Sequence, residues 1–221
     1  RVVRSSTFYP TLNREHVELV TEAIREVRQN SVITADGAER EVDALVFGTG
    51  FRAAEMPMAR LIRGQDGRPL AEHWQHTGAQ AYLGTTVAGF PNLFLLTGPN
   101  SALAHNSVLL GIETQVNYVL DALRVMRSQR LAAVAVQPHA QETFVREVAA
   151  RMAGTVWVTG GCRSWFLDHA GRNTTVWPWF TARFQRLTRR FDVENYDLRS
   201  QRLNSHARRN HYEHPCVCDH G

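Results

Sequence analysis

An α/β fold is predicted from three observations. Two short apolar runs, residues 44–47 and 93–96, each end in a glycine turn, Gly48-Thr-Gly50 and Gly98-Pro-Asn100, as buried strands do. Val108, Leu109, Ile112, Val116, Val119, Leu120 and Leu123 recur at helical spacing, with Asn106 or Ser107 placed to cap the helix start. A further apolar run, 131–136, leads into Pro138 and a second helical pattern carrying Phe144, Val145, Val148 and Met152, stopped by Gly154.

The remaining segments follow in order. Short apolar runs at 17–20, 24–27 and 32–34, with an Ala35-Asp-Gly-Ala turn before an expected strand at Val42, read as a β-rich unit. Residues 44–47 read as a strand buried on both faces, its glycines standing where a side chain would clash. Residues 53–89 are irregular, with a turn at Asp66-Gly67 and a short helix over 70–76. Trp157, Trp165, Trp177 and Trp179 fall within 23 residues, followed by a last helix over about 180–190.

The chain has 221 residues, 43% of them hydrophobic and 21% charged, an ordinary globular composition that fits one or two domains. Its formal charge of +4 rests on arginine alone, since no lysine occurs. The arginines are scattered apart from Arg186, Arg189 and Arg190, so no nucleic-acid-binding face is expected. No apolar stretch has membrane-spanning length, the start lacks a signal-peptide core, and three cysteines form no disulfide framework. These features predict a soluble cytoplasmic protein with no membrane partner. The first residue, Arg1, lies within what reads as a structured stretch, so a fragment is expected.

Several segments together resemble the C-terminal half of flavin-dependent monooxygenases of the Baeyer-Villiger and flavin-containing groups, including the hydroxyacetophenone type. They are Asp43-Ala-Leu-Val-Phe-Gly-Thr-Gly-Phe51, where Gly48 replaces the family's alanine, and Phe90-Pro-Asn-Leu-Phe-Leu-Leu-Thr-Gly-Pro-Asn100. Ala104-His-Asn-Ser107, Cys162-Arg-Ser-Trp-Phe166, Gly171-Arg-Asn-Thr-Thr and Trp177-Pro complete the set. The start also matches, with Arg1-Val-Val-Arg standing where the family has a Cys-Lys-Arg triplet, so that Arg1 is its arginine. The resemblance implies a partial Rossmann-like two-domain flavoprotein that binds FAD and NADP, its N-terminal half and both Gly-x-Gly-x-x-Gly fingerprints absent from this sequence. Residues 1–47 would end the NADP-binding domain, 48–198 would be the C-terminal part of the FAD-binding domain with a substrate and cofactor loop, and 199–221 a divergent tail.

The implied activity is a monooxygenase in which NADPH reduces FAD. The reduced flavin then takes up O2 as a C4a-peroxide or hydroperoxide and transfers one oxygen atom to a ketone or to a heteroatom of a small organic substrate. Arg1 is the implied catalytic residue, because a guanidinium stays charged and its fork can bond both a peroxide oxygen and a carbonyl adduct. The implied cofactor contacts are Thr49, Gly50 and Phe51 at the junction, Gly98, Pro99 and Asn100 beside the flavin ring, Asn106, Ser107 and the backbone of Val108 at the helix start, and Trp165 toward the nicotinamide cofactor. For Asn106 and Ser107, simple capping is an equal alternative. For Gly98–Asn100 the alternative is a plain strand-end turn, and for Trp165 it is core packing.

No metal site is expected. His73 and His76 share a helical spacing without a third ligand, and Cys162 reads as inert. His206, His211, His214, Cys216, Cys218 and His220 crowd the tail, but their spacing is not that of a zinc knuckle. Two other functions compete: a pyridine nucleotide-disulfide reductase relative, which needs a redox cysteine pair that is missing here, and an inactive partial gene product. Taken alone, the chain is expected to bind no FAD, for want of a phosphate-cradling turn, and to be poorly soluble.

Overall fold

The computed structural model describes residues 5–50, 56–102, 106–161 and 166–200, which fall into two compact units divided after Phe51. The first unit opens with one short helix, α1 (Phe8–Leu12), and is otherwise a three-stranded antiparallel sheet in the order β1 (Ile24–Val27), β2 (Ser31–Thr34), β3 (Glu39–Glu41). β2 is central and buried, with Val32 and Ile33 as β-branched residues suited to a pleated surface. The turn to β3 is fixed by Asp36, whose Oδ1 accepts from the Thr34 hydroxyl at 2.6 Å and the Ala38 amide at 3.1 Å. Gly37 supplies the positive φ of +88° that this turn demands. Arg28 pairs with Glu26 and Glu39, and Arg40 with Glu18, on exposed faces where such pairs add little stability. The predicted turn holds, while the third strand precedes Val42 and residues 17–20 form none.

Residues 44–47 are not a strand. No described segment offers them a ladder, and Val46 is 94% and Phe47 76% exposed; beyond β3 the last bond to the sheet unit runs from the Val42 amide to the Asn30 carbonyl at 2.9 Å. An apolar run records a preference for burial; a strand also needs a hydrogen-bonding neighbour. Residues 93–96 depart in the same way: Leu95 is buried, but its amide makes a single bond, to the Thr85 carbonyl at 2.7 Å.

In the second unit a short 3-10 turn, Pro57–Arg60, precedes α2 (Leu70–Thr77), which buries Leu70 and Trp74 one turn apart and stops at Gly78 with φ +78°. α3 (Val108–Ser128) leads through Arg130 into β4 (Leu131–Val136), then α4 (Pro138–Ala153) with proline in its first turn, and the single turn α5 (Val156–Thr159). α6 is shorter than expected, Thr181–Leu187, and ends at Thr188, whose backbone leaves the helical region at φ −99° and ψ 10°. A strand not foreseen in the sequence, β5 (Tyr196–Ser200), pairs antiparallel with β4. Both described sheets are antiparallel, and the parallel pairing in the described residues is one bridge, Ala102 with Val176.

The core forms where α3, α4 and α6 meet β4. Trp177 is 1% exposed, stacked on Phe144 and set edge-on to Phe184. Beside it sits a polar hub: the Tyr82 and Tyr118 hydroxyls both donate to Asp192, the Tyr118 and Tyr196 hydroxyls lie 2.9 Å apart, and Asn195 Nδ2 donates to Asp192 at 2.6 Å. Burial and the Asp192 charge push the Tyr82 and Tyr118 phenols up, and burial does the same to Tyr196.

The predicted helix at 108–123 exists, but its apolar stripe faces outward. Gly111, Gln115, Tyr118 and Ala122 are the buried positions, whereas Leu109, Val116, Leu120 and Leu123 are exposed.

Candidate cofactor site

The residues leading into α3 form a tight turn knot. Gly98 approaches the Gly84 carbonyl so closely that any Cβ there would collide with it, and a Cβ on Gly84 would lie 2.9 Å from the Pro99 carbonyl oxygen. Four residues here hold positive φ: Leu83 (+50°), Gly84 (+62°), Thr97 (+57°) and Asn100 (+54°). For branched Leu83 and Thr97 that backbone is unfavourable, so the surroundings must enforce it. Gln115 of α3 does so from 1% exposure: its Oε1 accepts from the Thr97 amide at 2.8 Å, and its Nε2 donates to the Gly84 carbonyl and the Thr85 hydroxyl, both at 3.0 Å.

Asn100 ties the knot to a second segment. Its amide donates to the Thr174 carbonyl at 2.8 Å, and its Nδ2 reaches the carbonyls of Asn173 and Val176 at 2.9 and 3.2 Å. The turn that holds Gly98, Pro99 and Asn100 is thus pinned between α3 and residues 173–176.

At the start of α3, Ser107 has extended backbone and no side-chain capping bond. Asn106 is committed elsewhere, its Nδ2 to the Thr181 hydroxyl at 3.2 Å and its Oδ1 to the Ser107 amide at 2.7 Å. The expectation that one of them caps the helix is therefore not met. Val108 is 43% exposed and Leu109 69%, leaving the first-turn amides of a 21-residue helix without a side-chain acceptor. Such an end attracts negative charge and hydrogen-bond acceptors.

Thr49 and Gly50 are exposed in the first unit. Gly50 has φ +80°, which calls for glycine, but a Cβ on either Gly48 or Gly50 would meet nothing within 4 Å, so these glycines are not placed to avoid a clash. Arg1, Phe51, Trp165 and Cys162 lie outside the described residues, as do all the ligand-type residues of the tail. Trp177 and Trp179 are packing residues, Trp179 carrying the Arg183 guanidinium 4.4 Å above its ring. His73 sits edge-on to Phe90 and 3.1 Å from Asp66, and no group of three His, Cys, Asp or Glu residues among the described ones is arranged to hold a metal ion. Arg68 holds the Asp66 carboxyl down to about 2. Among the described residues no helix is long and apolar enough to cross a membrane.

The residues missed in the sequence are Gly84 and Gln115. A glutamine at a buried helical position was the available signal, since a polar residue there implies partners across the helix.

No protein-family model matches the chain. It is 45% identical over 199 residues to a Baeyer-Villiger monooxygenase of Pseudomonas aeruginosa, and 47% identical over 199 residues to one of Streptomyces coelicolor. Each alignment covers 90% of this chain and 38% of the relative, so the chain spans well under half the length of these proteins. Among solved structures, cyclohexanone monooxygenase from Rhodococcus sp. Phi1 bound to NADP+ matches with TM-score 0.73 and 28% identity over 88% of this chain and 38% of that one. Oxidised steroid monooxygenase bound to NADP matches with TM-score 0.73 and 29% identity over 91% of this chain and 39% of that one.

Proposed function

We infer that the chain is the C-terminal part of a flavin-dependent monooxygenase of the Baeyer-Villiger group, and that the complete protein uses FAD and NADPH to place one oxygen atom from O2 on a ketone or a heteroatom. The observation that carries the reading is the uncapped start of α3, held against a strained and over-determined turn in a chain whose sequence and fold follow such enzymes along most of its length. FAD, when bound, would supply the redox and oxygen chemistry, with NADPH as its reductant.

This chain's residues would hold and polarise the flavin's pyrimidine edge. The Val108 amide is the proposed donor, backed by the dipole of α3, and would favour negative charge at that edge. Asn106, fastened to Thr181, fixes where the helix begins. Gly98, Pro99 and Asn100 form the wall beside the ring, rigid because Gln115 and residues 173–176 bind it from two sides. Thr49, Gly50 and Phe51 are proposed as the junction next to the flavin, Arg1 as the charge that faces the reacting oxygen, and Trp165 as the indole that covers the nicotinamide cofactor. The phosphate-cradling glycine turns are not in this sequence, so these residues would grip only the ring end of FAD.

The complete coding frame should yield a yellow protein that consumes NADPH and O2 with a ketone and releases an ester carrying one labelled oxygen from 18O2. Sulfide oxygenation tested beside it separates the two substrate classes. A purified complete protein with no flavin, or one that oxidises NADPH only with a disulfide acceptor, would overturn the reading.

A further inference from the structure

Two opposite faces of α3 meet different surroundings. Gly111, Gln115, Tyr118 and Ala122 are buried on one, while Leu109, Val116, Leu120 and Leu123, about half a turn away, are 69%, 37%, 44% and 48% exposed. The exposed four recur at helical spacing, so they form one continuous stripe about 21 Å long rather than scattered apolar positions. A contiguous apolar face of this kind marks a surface that meets another. Glu113 falls within the stripe, is exposed, and has no ion pair among the described residues.

We propose that this face seats the portion of the complete protein that the present chain lacks, an inference that rests on the monooxygenase reading. The incoming surface is apolar against Leu109, Val116, Leu120 and Leu123 and brings a hydrogen-bond donor to Glu113, because a carboxylate covered by apolar groups alone would be left unpaired out of water. Length names the occupant. More than three-fifths of each curated relative lies outside the region shared with this chain, and the two solved monooxygenases hold this fold within a single chain of which it is 38–39%. A covering surface in the same chain acts at an effective concentration of about a millimolar or more, which a second copy does not reach in dilute solution. With the stripe covered, α3 is gripped from both sides, Gln115 and Tyr118 inward and the four apolar residues outward, and the direction of its uncapped start is fixed.

The test is thiol labelling of Leu120→Cys, both in this 221-residue chain and in the complete protein expressed from the full coding frame, with the labelled peptide followed by mass spectrometry. The urea-unfolded proteins give the free rate. In this chain the thiol should react within about tenfold of that rate; in the complete protein it should react at least about 100-fold more slowly, since the reagent must wait for the face to open. Leu123→Cys should behave in the same way, and dilution of the complete protein should not restore the reaction. Equal labelling in the two proteins, protection already present in this chain, or protection lost on dilution because a second copy is the cover, would each overturn the proposal. The readout needs neither FAD nor NADPH, so a complete protein that turns over with an open α3 face would sink the docking and leave the monooxygenase reading standing. A flavin-free complete protein with the face protected would do the reverse.

Discussion

Replacing Gln115 by leucine should destabilise the second unit by roughly 3 kcal/mol. Gln115 is 1% exposed and serves three partners, of which the Thr97 amide and Gly84 carbonyl depend on it. Each orphaned buried group costs about 1–3 kcal/mol, together about 2–6. Thr85 adds nothing, because its hydroxyl still bonds the Leu83 carbonyl at 3.0 Å. Leucine returns on the order of 1–2 kcal/mol by burying apolar surface, which leaves the net near 3. In urea, followed by tryptophan fluorescence, a slope of about 1–3 kcal/mol per molar places the midpoint about 1–3 M lower. A midpoint shift under about 0.5 M with an unchanged slope would refute the claim that Gln115 enforces the strained turn.

Three further outcomes are expected. Val108→Pro removes one amide at a helix position that tolerates proline, after a residue already extended at ψ 127°, so the fold should survive. In the complete flavoprotein it should lower the flavin potential by about 20–40 mV and slow reduction by NADPH, and an unchanged potential would remove Val108 from the site. The raised phenols of Tyr82, Tyr118 and Tyr196 hold their protons in the folded state after an unfolded chain has lost them near 10, so stability should fall as pH rises beyond that value, by up to about 4 kcal/mol per pH unit. Native-state ionisation of these phenols at pH 11, seen in ultraviolet absorbance without loss of structure, would contradict this. Leu120→Glu with Leu123→Glu should raise solubility and shift the melting temperature by no more than about 2 °C, because both side chains are already nearly half exposed; a fall beyond about 5 °C would mean that the face is packed.

What the sequence made legible was local. The hairpin around Asp36 and Gly37, the helices opening at Leu70 and Pro138, and the strand 131–136 follow from turn chemistry and periodicity within a few residues. The overall likeness to flavin monooxygenases, read from motifs spread along the chain, is matched by relatives and by fold over about nine-tenths of this chain. Partners set by distant contacts were hidden. Nothing within 93–96 states whether a neighbouring strand exists, and the stripe of α3 gives the helix period without saying which side the core takes. Gly84 meets Gly98 and Ser101 across a gap that no spacing rule covers. β5 was readable in principle, since Tyr196 and Leu198 alternate with polar residues, but the alternation spans only five positions.

The tyrosine hub also bears on when the molecule can finish folding. Asp192 receives Tyr82 from 110 residues earlier and Tyr118 from 74 residues earlier, and β5 follows directly to close the ladder on β4. Contacts of such long range form late and slow the search for the native state. On the ribosome, α3 and α4 would emerge with Tyr118 and Phe144 unsealed, and the core of the second unit would close only after residue 196 had cleared the exit tunnel. Until then the growing chain would display the inner aromatic faces together with the outward apolar stripe of α3, the stage at which a chaperone has most to hold.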